Sequence, residues 1–310
     1  MSKIVMLERD NIGEDVDLNY FETLGELTIY GATPYEQVVD RIGDADVLVI
    51  NKIPMNEATL KDAQNVKLIC VTATGTDNVD MDYCANRGIA VKNVRSYSTE
   101  SVVQHTFAMF FYLSEKLRFY DDYVKNGEYM KCPRFTYFGE TFHELYGKTW
   151  GIVGLGEIGA RVADIAKAFG CKVIYYSTSG QNSNEAYERV DFDTLLGESD
   201  IISVHAPLNE KTKYLFTYDV FAKMKPSAYF INVGRGPIVK EADLCKALNE
   251  NLIAGAGLDV LEKEPMVPEN PLFAIKDSRK LLITPHIAWA TTEARNRLME
   301  NVYKNIKENA

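Results

Sequence analysis

TWGIVGLGEIGARVADIAKAFGCKVIYY, running from Thr149 to Tyr176, reads as one complete strand–turn–helix–strand unit. Thr149–Val153 is short and apolar, as a buried strand is. Gly154, Gly156 and Gly159 follow at the spacing G-x-G-x-x-G. A helix is expected from about Glu157 to Phe169, because Ile158, Val162, Ile165, Ala166 and Phe169 recur at helical spacing. Gly170 stands where a helix ends in the left-handed conformation, and Cys171–Tyr176 is the next strand. Two strands joined by a helix of this length form a βαβ unit, which requires a parallel sheet.

Each glycine in the turn has a separate physical task. Gly154 permits the tight turn, Gly156 lets backbone N–H groups approach a pyrophosphate, and Gly159 lets helix and strand pack closely. Glu157 and Ile158 open the helix whose N-terminus faces the anion. The pattern sits between a strand and a helix, as dinucleotide binding requires. The acidic residue that often closes the second strand is missing; Tyr175-Tyr176-Ser177-Thr178-Ser179-Gly180 occupies its place. An acid there would bind a ribose 2′-hydroxyl and repel a 2′-phosphate. Ser177 and Thr178 can donate to either, and the nearest following cation is Arg189, so NAD(H) is favoured and NADP(H) stays admissible.

The same rhythm extends both ways. Ile4–Leu7, Leu27–Tyr30, Val47–Ile50, Leu68–Thr72 and Ile89–Val91 read as strands, with helix-like segments at Pro34–Ile42 and Met81–Arg87. Downstream strands are expected at Ile201–His205, Ala228–Val233, Ile253–Asp259 and Leu281–Thr284. From Glu100 a nearly all-apolar run predicts a buried helix that continues in polar form to about Gly127, joining two domains. The aromatic stretch Tyr129–Tyr146 is either a packed loop or an arm buried against a second subunit. Thr292–Ile306 presents Leu298, Met299, Val302, Tyr303 and Ile306 on one helical face. The fold class is α/β, in two domains of parallel βα units: 1–98 plus 287–310, and 99–286.

Composition narrows the function. The 310 residues carry 46% hydrophobic and 25% charged residues, a globular balance. A net charge of −10 supplies no basic footprint for nucleic acid or an anionic membrane. No window approaches 18 uninterrupted apolar residues, and Met1–Asp10 lacks the pattern of a signal peptide. Five scattered cysteines without a C-x-x-C pair point to reduced thiols in the cytosol, and no cluster has metal-ligand spacing.

Three residues stand just past the predicted strands of the last quarter: Arg235 in Gly234-Arg235-Gly236, Glu264 beyond Leu258-Asp259-Val260, and His286 after Leu281–Pro285. Singly, they read as an exposed turn arginine, a solvated carboxylate and a loop histidine. In this order, at the carboxyl ends of strands where α/β sheets bind ligands, they read as a catalytic set. Reducing a 2-keto acid needs a hydride source, a proton donor and a carboxylate anchor. Lys52, after the third strand, reads either as a surface lysine or as a cation facing a cleft.

The motifs Asn232-Val233-Gly234-Arg235-Gly236, Gly257–Pro265 and Thr284–Thr291, with Thr72–Asp80 in the first domain, resemble the D-isomer-specific 2-hydroxy acid dehydrogenase family. The resemblance covers essentially the whole chain. Asn51-Lys52 and His286-Ile287-Ala288-Trp289 are most similar to glycerate dehydrogenases, also called hydroxypyruvate reductases. The resemblance implies a flavodoxin-like substrate domain, a Rossmann-type NAD(P)-binding domain and a homodimer built around the arm. It implies a cleft that closes by hinge motion near Asn93–Thr99 and Pro285–Thr291. His286 is then the general acid, an imidazole being suited to proton transfer near neutral pH. Glu264 holds the ring, and a carboxylate there stabilises its charged form. Arg235 grips the substrate carboxylate with a planar fork. Backbone N–H groups near Thr74, Gly75 and Thr76 complete that anchor, with Lys52 and Trp289 beside the substrate. Further cofactor contacts are implied at Pro207, Thr212, Val233, Gly234, Asp259 and His286, with Asp259 either a nicotinamide amide partner or a support behind it.

The resulting expectation is an oxidoreductase interconverting a small 2-keto acid and a D-2-hydroxy acid, best matched to hydroxypyruvate or glyoxylate. A D-lactate or aryl-lactate dehydrogenase is the alternative substrate reading. A dinucleotide-sensing corepressor-like binding protein is the alternative of another class. Formate oxidation is disfavoured, since that pattern pairs Gln with the histidine, and here the candidate is Glu264.

Overall fold

The computed structural model describes residues 1–181 and 183–310. The chain divides into two compact units, Met1–Ser98 with Trp289–Ala310, and Thr99–Ala288. In the first unit β1 (Ser2–Met6), β2 (Gly25–Ile29), β3 (Val47–Ile50), β4 (Leu68–Val71) and β5 (Ala90–Lys92) form a parallel sheet in the order β2-β1-β3-β4-β5. This is the flavodoxin-like order. The runs Val47–Ile50 and Leu68–Val71 are buried at every residue, because side chains that alternate along a strand enter two different cores. Ile4, Met6, Val47, Val49, Leu68 and Cys70 line one core. Val5, Leu7, Leu48, Ile50, Ile69 and Val71 line the other, with Val38 and Ile42 of helix α1 (Val38–Ile42) and Leu60 of α2 (Glu57–Leu60). Helix α3 (Met81–Asn86) is capped by the Asp80 carboxylate, which accepts from Tyr83 N–H at 2.9 Å.

The second unit opens on α4 (Thr99–Ser114) and α5 (Leu117–Lys125). Sequence periodicity predicts one helix to about Gly127; instead the helix breaks at Lys116, whose φ is 55°. Its ammonium leaves the helix line to bond Tyr229 Oη at 3.0 Å. A seven-stranded sheet follows: β6 (Thr149–Val153), β7 (Lys172–Tyr176), β8 (Glu188–Arg189), β9 (Ile201–Val204), β10 (Tyr229–Asn232), β11 (Gly255–Leu258) and β12 (Leu281–Ile283). All pairings are parallel, in the order β12-β11-β10-β9-β6-β7-β8. The order reverses between β6 and β9, the topological switch point where such sheets bind ligands. Strand β8 was not anticipated: two polar residues carry no apolar signal, and only pairing with β7 makes them a strand.

Helix α6 (Glu157–Ala168) and α4 cover one face of this sheet, where Phe107, Phe110, Trp150, Ile152, Val162, Ala163 and Ala166 share a core. The other face carries α7 (Phe192–Glu198), α8 (Tyr218–Phe221) and α9 (Glu241–Asn249) over Val153, Ile174, Ile202, Phe230 and Leu258. The last helix, α10 (Thr292–Asn309), runs three residues beyond its predicted end. It buries Leu298, Met299, Val302 and Ile306 in the first unit's core. No helix among the described residues is long and apolar enough to cross a membrane.

All five cysteines are free thiols, and only Cys132 is not buried. Burial pushes the Cys70 thiol up to about 12 and Cys171 to about 11, so little reactive thiolate forms at neutral pH. Native protein treated with a chromogenic disulfide is expected to release at most one fast equivalent, at Cys132, and five after denaturation. Two or more fast equivalents would show that a core opens readily.

Candidate active site

The carboxyl edge of the seven-stranded sheet gathers most of the predicted residues. Gly154 leaves β6 at a φ of 91°, in the left-handed region that favours glycine. Its N–H is held by Tyr176 O at 3.0 Å. A methyl group on Gly159 would stand 2.2 Å from Gly154 O, so α6 reaches this loop only through a bare Cα. A methyl group on Gly156 would meet nothing within 4 Å. The backbone at Gly156 is thus uncrowded where the twelve-residue α6 begins, and a helix N-terminus is the kind of place that suits a pyrophosphate. Glu157, the first residue of α6, accepts from Thr99 Oγ1 at 2.6 Å, and Ile158 packs onto the core.

The neighbouring strand end supports the loop. Ala206 packs against Gly154. His205 bonds Ser203 Oγ at 2.9 Å, and that oxygen also accepts from Trp150 Nε1 at 2.9 Å. Burial pushes the His205 ring down to about 3, which keeps it neutral. Thr212 is fully buried; its hydroxyl donates to Pro207 O at 2.7 Å and accepts from Asn209 N–H at 2.8 Å, which fixes the Pro207 turn. Ser177 is 5% exposed, with its Oγ buried and unpartnered, and Thr178 is half-buried.

Beyond β10 the fully buried Asn232 ties its own loop. Its Oδ1 accepts from Gly234 N–H at 3.1 Å and its Nδ2 donates to Arg235 O at 3.0 Å. Val233 lies half-buried between these bonds. The guanidinium of Arg235 donates to Gly234 O at 2.9 Å. A methyl group on Gly236 would lie 1.8 Å from Leu261 O. Only glycine allows the Arg235 loop to press against the segment that carries Glu264. A reciprocal clamp holds that segment from below: Glu262 N–H donates to Glu241 Oε1, and Glu241 N–H to Glu262 Oε1, each at 2.6 Å. Glu241 also accepts from Asn270 Nδ2 at 2.6 Å, and burial raises its carboxyl above the usual range.

Glu264 and His286 meet because β11 and β12 are neighbours in register, Leu258 opposite Ile283. His286 Nδ1 lies 2.7 Å from Glu264 Oε2, while Glu264 Oε1 accepts from Leu261 N–H at 3.0 Å. His286 has a φ of 56°, a costly conformation for a non-glycine residue. The buried carboxylate of Asp259 holds it there. Asp259 Oδ1 accepts from Ile287 N–H at 2.9 Å and Thr284 Oγ1 at 2.6 Å, and Oδ2 from Ala288 N–H at 2.8 Å. Its backbone oxygen accepts from His286 N–H at 2.8 Å. The His105 ring completes the cluster, 3.0 Å from Thr284 Oγ1 and 3.6 Å from Asp259 Oδ1. These bonds tie the His286 loop to the strand end that carries Asp259. From the sequence, His105 inside its apolar run reads as a structural histidine, in keeping with this place, whereas Asn232 and Glu241 were not anticipated as parts of this scaffold.

The remaining predicted residues belong to the first unit. Lys52 follows β3 with an exposed side chain, and its loop is rigid. The buried Glu8 carboxylate collects the N–H groups of Asn51, Lys52 and Ile53 at 2.6–3.1 Å. Thr74 Oγ1 donates to Val94 O at 3.0 Å, and Thr76 O accepts from Val79 N–H at 3.0 Å, so the loop through Gly75 is pinned at both ends. Trp289 packs on the first unit's core, edge-on to Tyr97 at 6.2 Å. Among the described residues no group of three or more His, Cys, Asp or Glu side chains is placed to hold a metal ion.

Comparison with known proteins gives the family of the chain. Residues 107–288 match the model of the D-isomer specific 2-hydroxyacid dehydrogenase, NAD binding domain. A hydroxypyruvate reductase of Blautia hydrogenotrophica is 36% identical over 99% of this chain and 96% of its own. A glycerate dehydrogenase of Methylorubrum extorquens is 36% identical over 98% of this chain and 95% of its own. Among solved structures, D-lactate dehydrogenase from Aquifex aeolicus, complexed with NAD and lactic acid, superimposes with a TM-score of 0.83 at 28% identity. That match covers 98% of this chain and 94% of the other.

The two turn glycines should fail differently. Gly159→Ala is expected to lower stability by about 1–3 kcal/mol through overpacking, read as a lower denaturation midpoint. Gly156→Val should melt like the parent yet lose dinucleotide binding, measured by nicotinamide fluorescence. A Gly156→Val protein that binds normally would show that the pyrophosphate lies elsewhere.

Proposed function

The chain belongs to the D-isomer specific 2-hydroxyacid dehydrogenase family, and on that premise we propose that it reduces hydroxypyruvate or glyoxylate to D-glycerate or glycolate. The observation that carries the reading is the 2.7 Å contact of His286 Nδ1 with Glu264 Oε2 beside the Arg235 loop. The named activities of the two 36% identical relatives support the substrate class.

With Nδ1 held by Glu264, Nε2 is the ring nitrogen that gives a proton to the substrate carbonyl oxygen, and takes it back in the reverse direction. Glu264 fixes the ring's orientation and offsets the charge of its protonated form. Arg235 binds the substrate carboxylate, so the carbonyl carbon is presented in one orientation. A bound nicotinamide dinucleotide supplies the hydride. Gly154, Gly156, Gly159, Glu157 and Ile158 would hold its pyrophosphate, and Ser177 and Thr178 its adenosine ribose. Val233, Gly234, Pro207 and Thr212 would shape the bed between. NADH is the proposed cofactor, with NADPH also admitted because no carboxylate stands at 177 to repel it.

The proposed site of action is the cytosol, in keeping with five free thiols. The proposed assembly is a homodimer. Met130, Phe135, Phe138 and Tyr146 are 86%, 92%, 77% and 76% exposed on the aromatic arm. Beside them Tyr123 and Tyr137 stack at 4.0 Å, which stiffens the arm. So many exposed rings on one segment suit burial against a second copy.

Initial rates with hydroxypyruvate, glyoxylate, pyruvate and phenylpyruvate test the substrate. Hydroxypyruvate should lead, and a preference for pyruvate or phenylpyruvate would overturn the substrate while keeping the chemistry. His286→Ala should cut turnover about 10²–10⁴-fold with cofactor binding intact, and Arg235→Ala should raise KM and lower kcat together. Unchanged kinetics in either would remove that residue from its role. Light scattering should return twice the mass of one chain; a monomer would leave the arm without its proposed cover.

A further inference from the structure

Glu241, the first residue of α9, is 3% exposed. A buried acid is costly to keep, and one at a helix start ordinarily serves the N–H groups of its own helix. The carboxylate of Glu241 serves two other segments instead. Its Oε1 accepts from Glu262 N–H and its Oε2 from Asn270 Nδ2, each at 2.6 Å. Asn270 Oδ1 is taken by Leu272 N–H at 2.9 Å, which leaves the amide nitrogen for Glu241. Glu241 must therefore accept on both sides, as only a carboxylate does. A glutamine would set its own NH2 against one of two donors.

The segment held in this way carries Glu264. Leu261 and Glu262 are consecutive, and both of their N–H groups are bound by carboxylates. Glu262 N–H goes to Glu241 Oε1, and Leu261 N–H to Glu264 Oε1 at 3.0 Å. Glu264 Oε2 then faces His286 Nδ1 at 2.7 Å. Glu262 returns the contact. Its Oε1 accepts from Glu241 N–H at 2.6 Å, and its Oε2 from Tyr214 Oη at 3.0 Å. On its other side Glu241 follows the turn that starts at Arg235, where Ile238 N–H bonds Arg235 O at 3.2 Å. The Arg235 turn and the Glu264 turn therefore touch twice, at Gly236 with Leu261 and at Glu241 with Glu262.

We infer that Glu241 is a positioning residue for the reaction: through Glu262 it holds the Glu264 turn against the Arg235 turn, and so sets Glu264 against His286. It touches neither substrate nor cofactor. The inference rests on the proposed roles of Arg235, Glu264 and His286 and adds the group that keeps two of them in register.

The test is steady-state kinetics of hydroxypyruvate reduction by the full-length protein, with melting midpoints alongside. Glu241→Gln should lower kcat about tenfold, because a small misplacement of a reacting group is costly, and leave the KM for NADH within about twofold. Adding Asn270→Asp reverses the polarity of the contact, since the amide now donates to a carboxylate, and should restore most of the lost kcat. In a Glu264→Ala background Glu241→Gln should cost less than about twofold, the non-additivity expected of residues that act in series. A loss of stability alone would instead add to that of Glu264→Ala. A folded Glu241→Gln with unchanged kcat would overturn the inference, as would losses that multiply in the double variant. If Glu241→Gln does not fold, Glu262→Ala decides: it removes the other half of the clamp at a half-buried side chain, and unchanged kcat there would overturn the inference. Full activity in Glu264→Ala would overturn the catalytic reading of Glu264, and this inference with it.

Discussion

The buried carboxylate of Asp259 is the interaction on which the geometry of the His286 loop depends. A carboxylate removed from water costs several kcal/mol unless its oxygens are satisfied. Here they accept from Ile287 N–H, Ala288 N–H and the Thr284 hydroxyl. Bonds to a charged acceptor contribute about 1.5–3 kcal/mol each. Together they offset the burial and the left-handed backbone of His286. The loop is thereby held in one conformation, with its imidazole turned to Glu264.

In both units the loops are built by one repeated device, a buried side chain that satisfies a loop's own backbone. Asn232 does this for the Arg235 loop, Glu241 for the Glu264 loop, Thr212 for the Pro207 turn and Glu8 for the Lys52 loop. Loops tied in this way lose little further entropy when a ligand arrives. The glycines serve the complementary purpose. Gly159 and Gly236 are bare because backbone passes where a Cβ would be, whereas Gly156 is bare with open space before it. The sequence writes all three alike, and only the structure separates glycines crowded by backbone from one that faces open space.

Much of this was legible in advance for identifiable reasons. The strands Val47–Ile50 and Leu68–Val71 announced themselves because burial on both faces leaves no polar position. The G-x-G-x-x-G loop was legible because its three glycines, strand and helix are contiguous. The helix expected to reach Gly127 was misjudged because the left-handed break falls at Lys116, with no glycine or proline there to announce it. Strand β8 was invisible because Glu188 and Arg189 carry no β signal of their own.

The sequence by itself determined the βα alternation, the parallel class of the sheets and the residue types at the strand ends. Each of these depends on local periodicity and on short-range turn chemistry. Tertiary structure alone decided which strand ends became neighbours. Pairing of β11 with β12 joined Glu264 to His286 across 22 residues, and pairing of β7 with β8 set Arg189 opposite Tyr175. Adjacency in a parallel sheet is set by crossover connections and by the packing of both faces, and these are properties of the whole chain that no local stretch contains.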